Sequence, residues 1–160
     1  MRKWTEHELQ NMLATKFNDR GSLCVPNCGV FGWEADLVRV TPRLFSAEYE
    51  IKVSLADFRH DAAKQAKHIR LEDCTDRTGE RGLAPNHFWY VAPRGVVPAD
   101  EVPSHAGLIE IVGCDIVPVV KAPKLHGHKL PVDRLLWLTR GAARRYWESR
   151  RTEVIHAAPV

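Results

Sequence analysis

No run of apolar residues in this sequence approaches the roughly 18 needed to cross a bilayer. The opening MRKWTEHELQ also lacks the apolar stretch that a signal peptide carries. The expectation is a cytoplasmic protein with no membrane partner. Cysteine is sparse, with Cys24, Cys28, Cys74 and Cys114 the full set and no C-x-x-C pair among them. In a reducing compartment four such residues are not a disulfide framework. Cys24 and Cys28 could form half of a zinc site, but Cys74 and Cys114 are isolated in sequence, which speaks against a metal–thiolate module. Excess charge is missing too: a formal net charge of +3 is too small to indicate a nucleic-acid partner by itself. There are no internal repeats and no low-complexity tracts.

What is present is the composition of an ordinary globular chain, 44% hydrophobic and 27% charged over 160 residues. One domain is expected over residues 1–152, followed by a frayed tail over 153–160. The charges are segregated. Arginine and lysine concentrate after Arg59 on two predicted helices, whereas several acids gather on one predicted hairpin. That separation suits a metal site beside a groove for a polyanion.

Thr5 to Phe17 places Leu9, Met12, Leu13 and Phe17 at helical spacing, and Thr5 with Glu8 reads as a capping box. Asn18 to Phe31 is rich in turn residues and reads as a loop. Trp33 to Val40 and Phe45 to Val53 alternate with period two, separated by Thr41-Pro42-Arg43, and predict a hairpin. Ser54 and Asp57 form another capping box, opening a helix with the apolar stripe Leu55, Phe58, Ala62, Ala66 and Ile69. Leu71 to Asn86 reads as a mobile surface loop. Strands are expected at His87–Ala92, Gly107–Gly113 and Asp115–Lys121. A final helix starts at Pro131, with Leu135, Leu136, Leu138, Ala142 and Trp147 as core candidates.

The chemistry sits on the hairpin. A turn centred near Arg43 puts Asp36 opposite Glu50, and opposed side chains on one sheet face have Cβ atoms roughly 4.5–5.5 Å apart. Two carboxylates so close repel one another and call for a cation. Mg²⁺ fits, because a couple of carboxylates, several waters and a substrate phosphate complete its octahedron. Lys52, two residues beyond Glu50, points at the same spot and could stabilise developing charge or position a water. Glu48 and Glu34 are in phase with the pair and are candidates for auxiliary roles. The competing reading is a solvated hairpin face, whose exposed ion pairs are worth about 0–1 kcal/mol each.

A strand with Asp36, a short turn, a strand ending Glu50-Ile51-Lys52 and then a helix resembles the PD-(D/E)XK nuclease superfamily. The runs EYEIKVSLADFRHDAAKQAKH, PNHFWYVAP and EVPSHAGLIEI are similar to small phage and bacterial nucleases of the group containing the MmcB-like DNA-repair proteins. The likeness covers about residues 5–125. It implies an α/β fold with a restriction-endonuclease-like core, a central mixed β-sheet flanked by α-helices. It also implies Mg²⁺-dependent endonucleolytic hydrolysis of DNA, with Mn²⁺ substituting, and structure-selective repair or recombination as the setting. Asp36 matches the first acid, Glu50 the second and Lys52 the catalytic lysine, which would orient or deprotonate water. The Ile51 carbonyl is the candidate third metal ligand, and Glu8 the candidate glutamate that family members contribute from their first helix. Ala35 stands where the family's proline is expected.

Lys64, Lys67 and Arg59 are the candidate DNA contacts on the helix after Lys52. A homodimer would suit cutting of both strands. The rival function is a non-catalytic DNA-binding or scaffold protein that keeps the fold without turnover.

Overall fold

The computed structural model describes residues 3–18, 21–74 and 84–157. Helix α1 (Glu6–Asn18) starts at the expected box: Thr5 N donates to the Glu8 carboxylate at 2.9 Å, and Glu8 N donates to Thr5 Oγ1 at 3.3 Å. Strand β1 (Leu23–Cys28) follows where a loop was expected. Pro26 and the left-handed Asn27 (φ 45°) disguise it, and both are tolerated because β1 is an edge strand.

Strands β2 (Ala35–Val40) and β3 (Ser46–Ile51) form the hairpin. Leu44 N donates to Thr41 O at 2.8 Å and Thr41 N to Phe45 O at 2.9 Å. Leu44 takes φ 65°, the left-handed residue that a short hairpin loop of this kind needs. Val40 pairs with Ser46 and Leu37 with Tyr49, so the register is symmetric about Arg43. Continued by one step, this register sets Asp36 opposite Glu50, and the Asp36 carboxylate accepts the Ile51 N–H.

The expected long helix after Ser54 is two helices, α2 (Leu55–Ala62) and α3 (Gln65–Asp73), broken at Lys64, whose backbone leaves the helical region. The break reorients α3. Ile69, expected in the apolar stripe, is 55% exposed, while Lys67, His68 and Leu71 turn inward. The expected loop Leu71–Asn86 begins with the last turn of α3, and its residues 75–83 lie outside the described residues.

Strands β4 (His87–Pro93), β5 (Ala106–Val112) and β6 (Asp115–Val120) complete a six-stranded sheet in the order β1-β2-β3-β4-β5-β6. β3, β4 and β5 run parallel to one another and the remaining pairs are antiparallel. The parallel β3–β4 step requires a crossover, and α2 and α3 provide it. The chain is thus α/β, a mixed sheet flanked by four helices. Helix α4 (Val132–Ala157) continues through residues expected to be a frayed tail. No proline interrupts it before Pro159, so the backbone ladder can run on.

One sheet face packs α1 through Leu9, Leu13 and Phe17 against Leu37, Tyr49, Val91 and Ile109. The other packs α4 through Leu138 against Val25, Val38 and Val40, and packs Phe58 of α2 and Leu71 of α3 against Phe88, Tyr90 and Leu108. Leu136 and Trp147, expected in the core, are 55% and 64% exposed. α4 covers only one edge of the sheet, so a single stripe of the helix is buried. No described helix is long and apolar enough to cross a membrane.

Candidate active site

Alternation along β3 sends Tyr49 into the α1 face and Glu48 and Glu50 into the opposite one. The acids there are not solvated: Glu48 is fully buried and Glu50 and Lys52 nearly so, which rules out the exposed hairpin face. Burying charge in this way is tolerable only with partners. Lys52 Nζ lies 2.9 Å from Glu50 Oε1, and Lys67 Nζ lies 2.7 Å from Glu50 Oε2 and 2.9 Å from Glu48 Oε1. The Trp33 indole N–H donates to both Glu48 oxygens at 2.9 and 3.0 Å.

Asp61 of α2 joins them. It is 1% exposed. Its Oδ1 meets Lys64 Nζ at 3.0 Å and Lys52 Nζ at 3.6 Å, and its Oδ2 accepts from the Tyr90 hydroxyl at 3.0 Å. Behind it, His68 Nε2 is 3.1 Å from the Asp61 carbonyl oxygen and His68 Nδ1 is 2.9 Å from His105 Nε2. His105 Nδ1 reaches the surface residue Glu72 at 3.2 Å.

Glu48, Glu50 and Asp61 are therefore matched by Lys52, Lys64 and Lys67. Asp36 is a fourth acid, and no described ammonium or guanidinium is in ion-pair contact with it. Its Oδ2 accepts the Ile51 N–H at 2.7 Å, which fixes the carboxylate against the end of β3. Burial, then the charge on Glu50, pushes the Asp36 pKa up from 3.8 to about 7, with the Ile51 N–H and Lys52 opposing. The surroundings of Lys52 favour its charged form. Burial disfavours its charge, but Glu50, Asp61 and Asp36 hold its pKa above the ordinary lysine value. Lys67 is raised likewise by Glu48, Glu50 and Asp61 against burial. The cluster keeps its ammonium groups charged and is one positive charge short at Asp36.

The fold has a solved counterpart. A protein of unknown function from Silicibacter pomeroyi is 24% identical, with a TM-score of 0.63, and the match covers 95% of this chain and 93% of that one. At that identity the likeness shows the fold alone. No family model matches the sequence, and no curated protein matches it significantly.

The sequence-predicted residues divide into two groups. Asp36, Glu50, Ile51 and Lys52 are brought together at one end of the sheet. Glu8 is not with them. Its carboxylate caps α1, and it lines a groove with Trp4, Met12 and Ile116 on the β6 side. The helix residues turned toward Asp36 are Gln10, whose amide donates to the Asp36 carbonyl at 2.9 Å, and Glu6, whose charge helps raise the Asp36 pKa. A one-turn capping motif looks the same in sequence whichever way the helix faces. Glu34 is exposed.

Of the proposed DNA contacts, Lys67 is 8% exposed and committed to Glu48 and Glu50, so it belongs to the cluster and not to a basic surface. Arg59 forks onto Glu101 at 2.7 and 3.1 Å. The Lys64 side chain remains 53% exposed beside the site. Cys28 is buried, donates to Val25 O, and has its pKa pushed up to about 12 by burial and Glu48. Among the described residues no group of three or more His, Cys, Asp and Glu side chains is arranged to hold a metal ion.

The pair Asp36 and Glu50 nevertheless has the donor chemistry Mg²⁺ requires, since that ion retains several waters and takes as few as one or two carboxylates. A carboxylate offers about four lone-pair sites, so the two lysines on Glu50 do not exhaust it. With no described cation paired to it, Asp36 is pushed toward its protonated form by burial and by the charge on Glu50.

Proposed function

We propose that this chain is a divalent-metal-dependent nuclease that hydrolyses DNA phosphodiester bonds, a member of the PD-(D/E)XK superfamily. The observation that carries the reading is the uncompensated Asp36 carboxylate held beside Glu50 and the Lys52 ammonium. The order of elements agrees with it: Asp36 is the second residue of β2, Glu50-Ile51 closes β3 with Lys52 directly after it, and α2 follows. Asp36 and Glu50 are the residues that would hold Mg²⁺ or Mn²⁺, with the Ile51 carbonyl as a third donor. When bound, such an ion polarises a phosphoryl oxygen and acidifies a water.

Lys52 is placed to offset charge on the phosphate under attack. Glu50, Asp61 and Asp36 favour its charged form against burial, which suits it to orienting a water, while deprotonating one is the other role expected for it. Lys67, Asp61 and Trp33 act through contact with Glu50, Lys52 and Glu48 and are positioning residues. Lys64, exposed at the rim, is the cation best placed to meet a phosphate of the strand.

Incubation with duplex, single-stranded, flapped and four-way DNA in Mg²⁺ or Mn²⁺ tests this. Metal-dependent cutting is expected from the wild type, with a loss of about 100-fold or more in Lys52→Met, the scale of removing one preorganised charge-stabilising donor. Intact DNA across the panel, or equal cutting by Lys52→Met, contradicts the nuclease. DNA that is bound yet never cut favours the non-catalytic binding protein.

A further inference from the structure

The α1 face of the sheet holds a second concavity, away from the lysine–carboxylate cluster. Helix α1 ends at Asn18 with Phe17 on Tyr49. It leaves the beginnings of β3 and β4 and the end of β6 uncovered, around an open cavity of about 1090 Å³. Five cations line it, Lys16, Arg39, Arg43, Lys121 and Lys124, and no Asp or Glu does so among the described residues. In a chain of net charge +3 with 20 acids, a concavity of one sign marks a site for an anion.

Its floor holds an aromatic shelf. Trp89 pairs in register with Gly107, and a Cβ at position 107 would lie 2.5 Å from Trp89 Cε3 and 2.6 Å from Cζ3. Only glycine lets the six-membered ring of the indole lie across β5. The ring is half-buried there and lines the cavity. Arg39 is held in place over the Phe17 ring at 4.4 Å and by Ser22 Oγ at 3.0 Å, while Lys124 stands over Phe45 at 5.2 Å. Lys16, Arg43, Lys121 and Lys124 are exposed along the rim.

We infer that this groove binds single-stranded nucleic acid, with an unstacked base on Trp89 and the backbone phosphates along the rim cations. A ring shelf under a row of cations matches a strand whose bases are free to stack and whose backbone is anionic. A duplex keeps its bases stacked inside and cannot offer one to the floor. An acidic peptide satisfies the cations but brings no ring for the shelf. The inference stands apart from the nuclease reading, because the groove shares no residue with Asp36, Glu50 or Lys52.

Fluorescence anisotropy of labelled dT12 with the full chain in EDTA tests it, since cleavage is then silent and failure of the nuclease reading leaves the result intact. The single strand is expected to bind more tightly than a duplex of equal length and than dTMP. Affinity should fall about tenfold in Trp89→Leu, the scale of one lost base stack, and at least as much in the double variant Lys121→Glu with Lys124→Glu. Because Lys121 and Lys124 are exposed, their double variant reads the site even if Trp89→Leu proves unstable on melting. No binding of dT12, binding indifferent to the lysine reversal, or equal binding of duplex or dTMP overturns the inference.

Discussion

Asp36→Asn should abolish metal-dependent cleavage and at the same time make the protein more stable at pH 8. Asp36 is raised from 3.8 to about 7 by burial and by Glu50. Its folded state therefore favours the protonated form, and what that form contributes is lost as pH rises through 7. Asparagine keeps the oxygen that accepts the Ile51 N–H and has no charge to lose. A shift of this size on a partly exposed group, discounted for solvent screening, corresponds to about 1–3 kcal/mol. In a chain of this length that is a rise in Tm of roughly 3–8 °C. The gain should shrink toward zero as pH falls to about 4, where the unfolded aspartate also takes up its proton. Calorimetric melting from pH 4 to pH 8 measures it. A variant that is less stable at pH 8, or a difference that does not change with pH, would show that Asp36 is not the surplus charge.

Lys67→Met should have the largest effect on stability. Lys67 is the shared partner of Glu48 and Glu50, both nearly removed from solvent. Taking away the ammonium leaves two buried carboxylates facing each other with Lys52 as their remaining cation, and breaking a buried ion pair on one side typically costs about 3–5 kcal/mol. A fall in Tm on the order of 10 °C follows. Lys64→Met, at a half-exposed side chain on the same cluster, should cost about 1 kcal/mol or less. Urea melts of the two variants compare them directly, and a Lys67→Met protein as stable as Lys64→Met would mean that the cluster does not hold α3 to the sheet.

These contrasts depend on features that sequence carries unevenly. The hairpin was legible because its period-two alternation and its turn at Arg43 fix the pairing of Asp36 with Glu50 without any long-range information. The start of α1 was legible for the same reason, since Thr5 and Glu8 bond to each other. The direction in which α1 faces was not, and Glu6 and Gln10, not Glu8, lie on the Asp36 side.

β1 was hidden because Pro26 and Asn27 read locally as a turn, and their cost disappears at a sheet edge. The break between α2 and α3 falls beside Ala62 and Ala63, residues that favour continuing a helix. What accompanies the break is tertiary: Asp61 before it and Lys67 and His68 after it are all buried against the sheet. Lys67 therefore looked like a surface cation until the strand residues it pairs with, 17 and 19 positions away, were in place. The chemistry of the pair was readable in one dimension, and its electrostatic balance only in three.

The most direct test of the central claim, that Asp36 and Glu50 form a carboxylate pair awaiting a divalent cation, is calorimetric titration of Mn²⁺ into the protein at pH 8 and at pH 6. One ion per chain is expected at pH 8, about tenfold weaker binding at pH 6 as Asp36 takes up its proton, and no binding to Asp36→Asn at either pH. Failure of the wild type to bind at pH 8, or binding that Asp36→Asn leaves unchanged, would contradict the account.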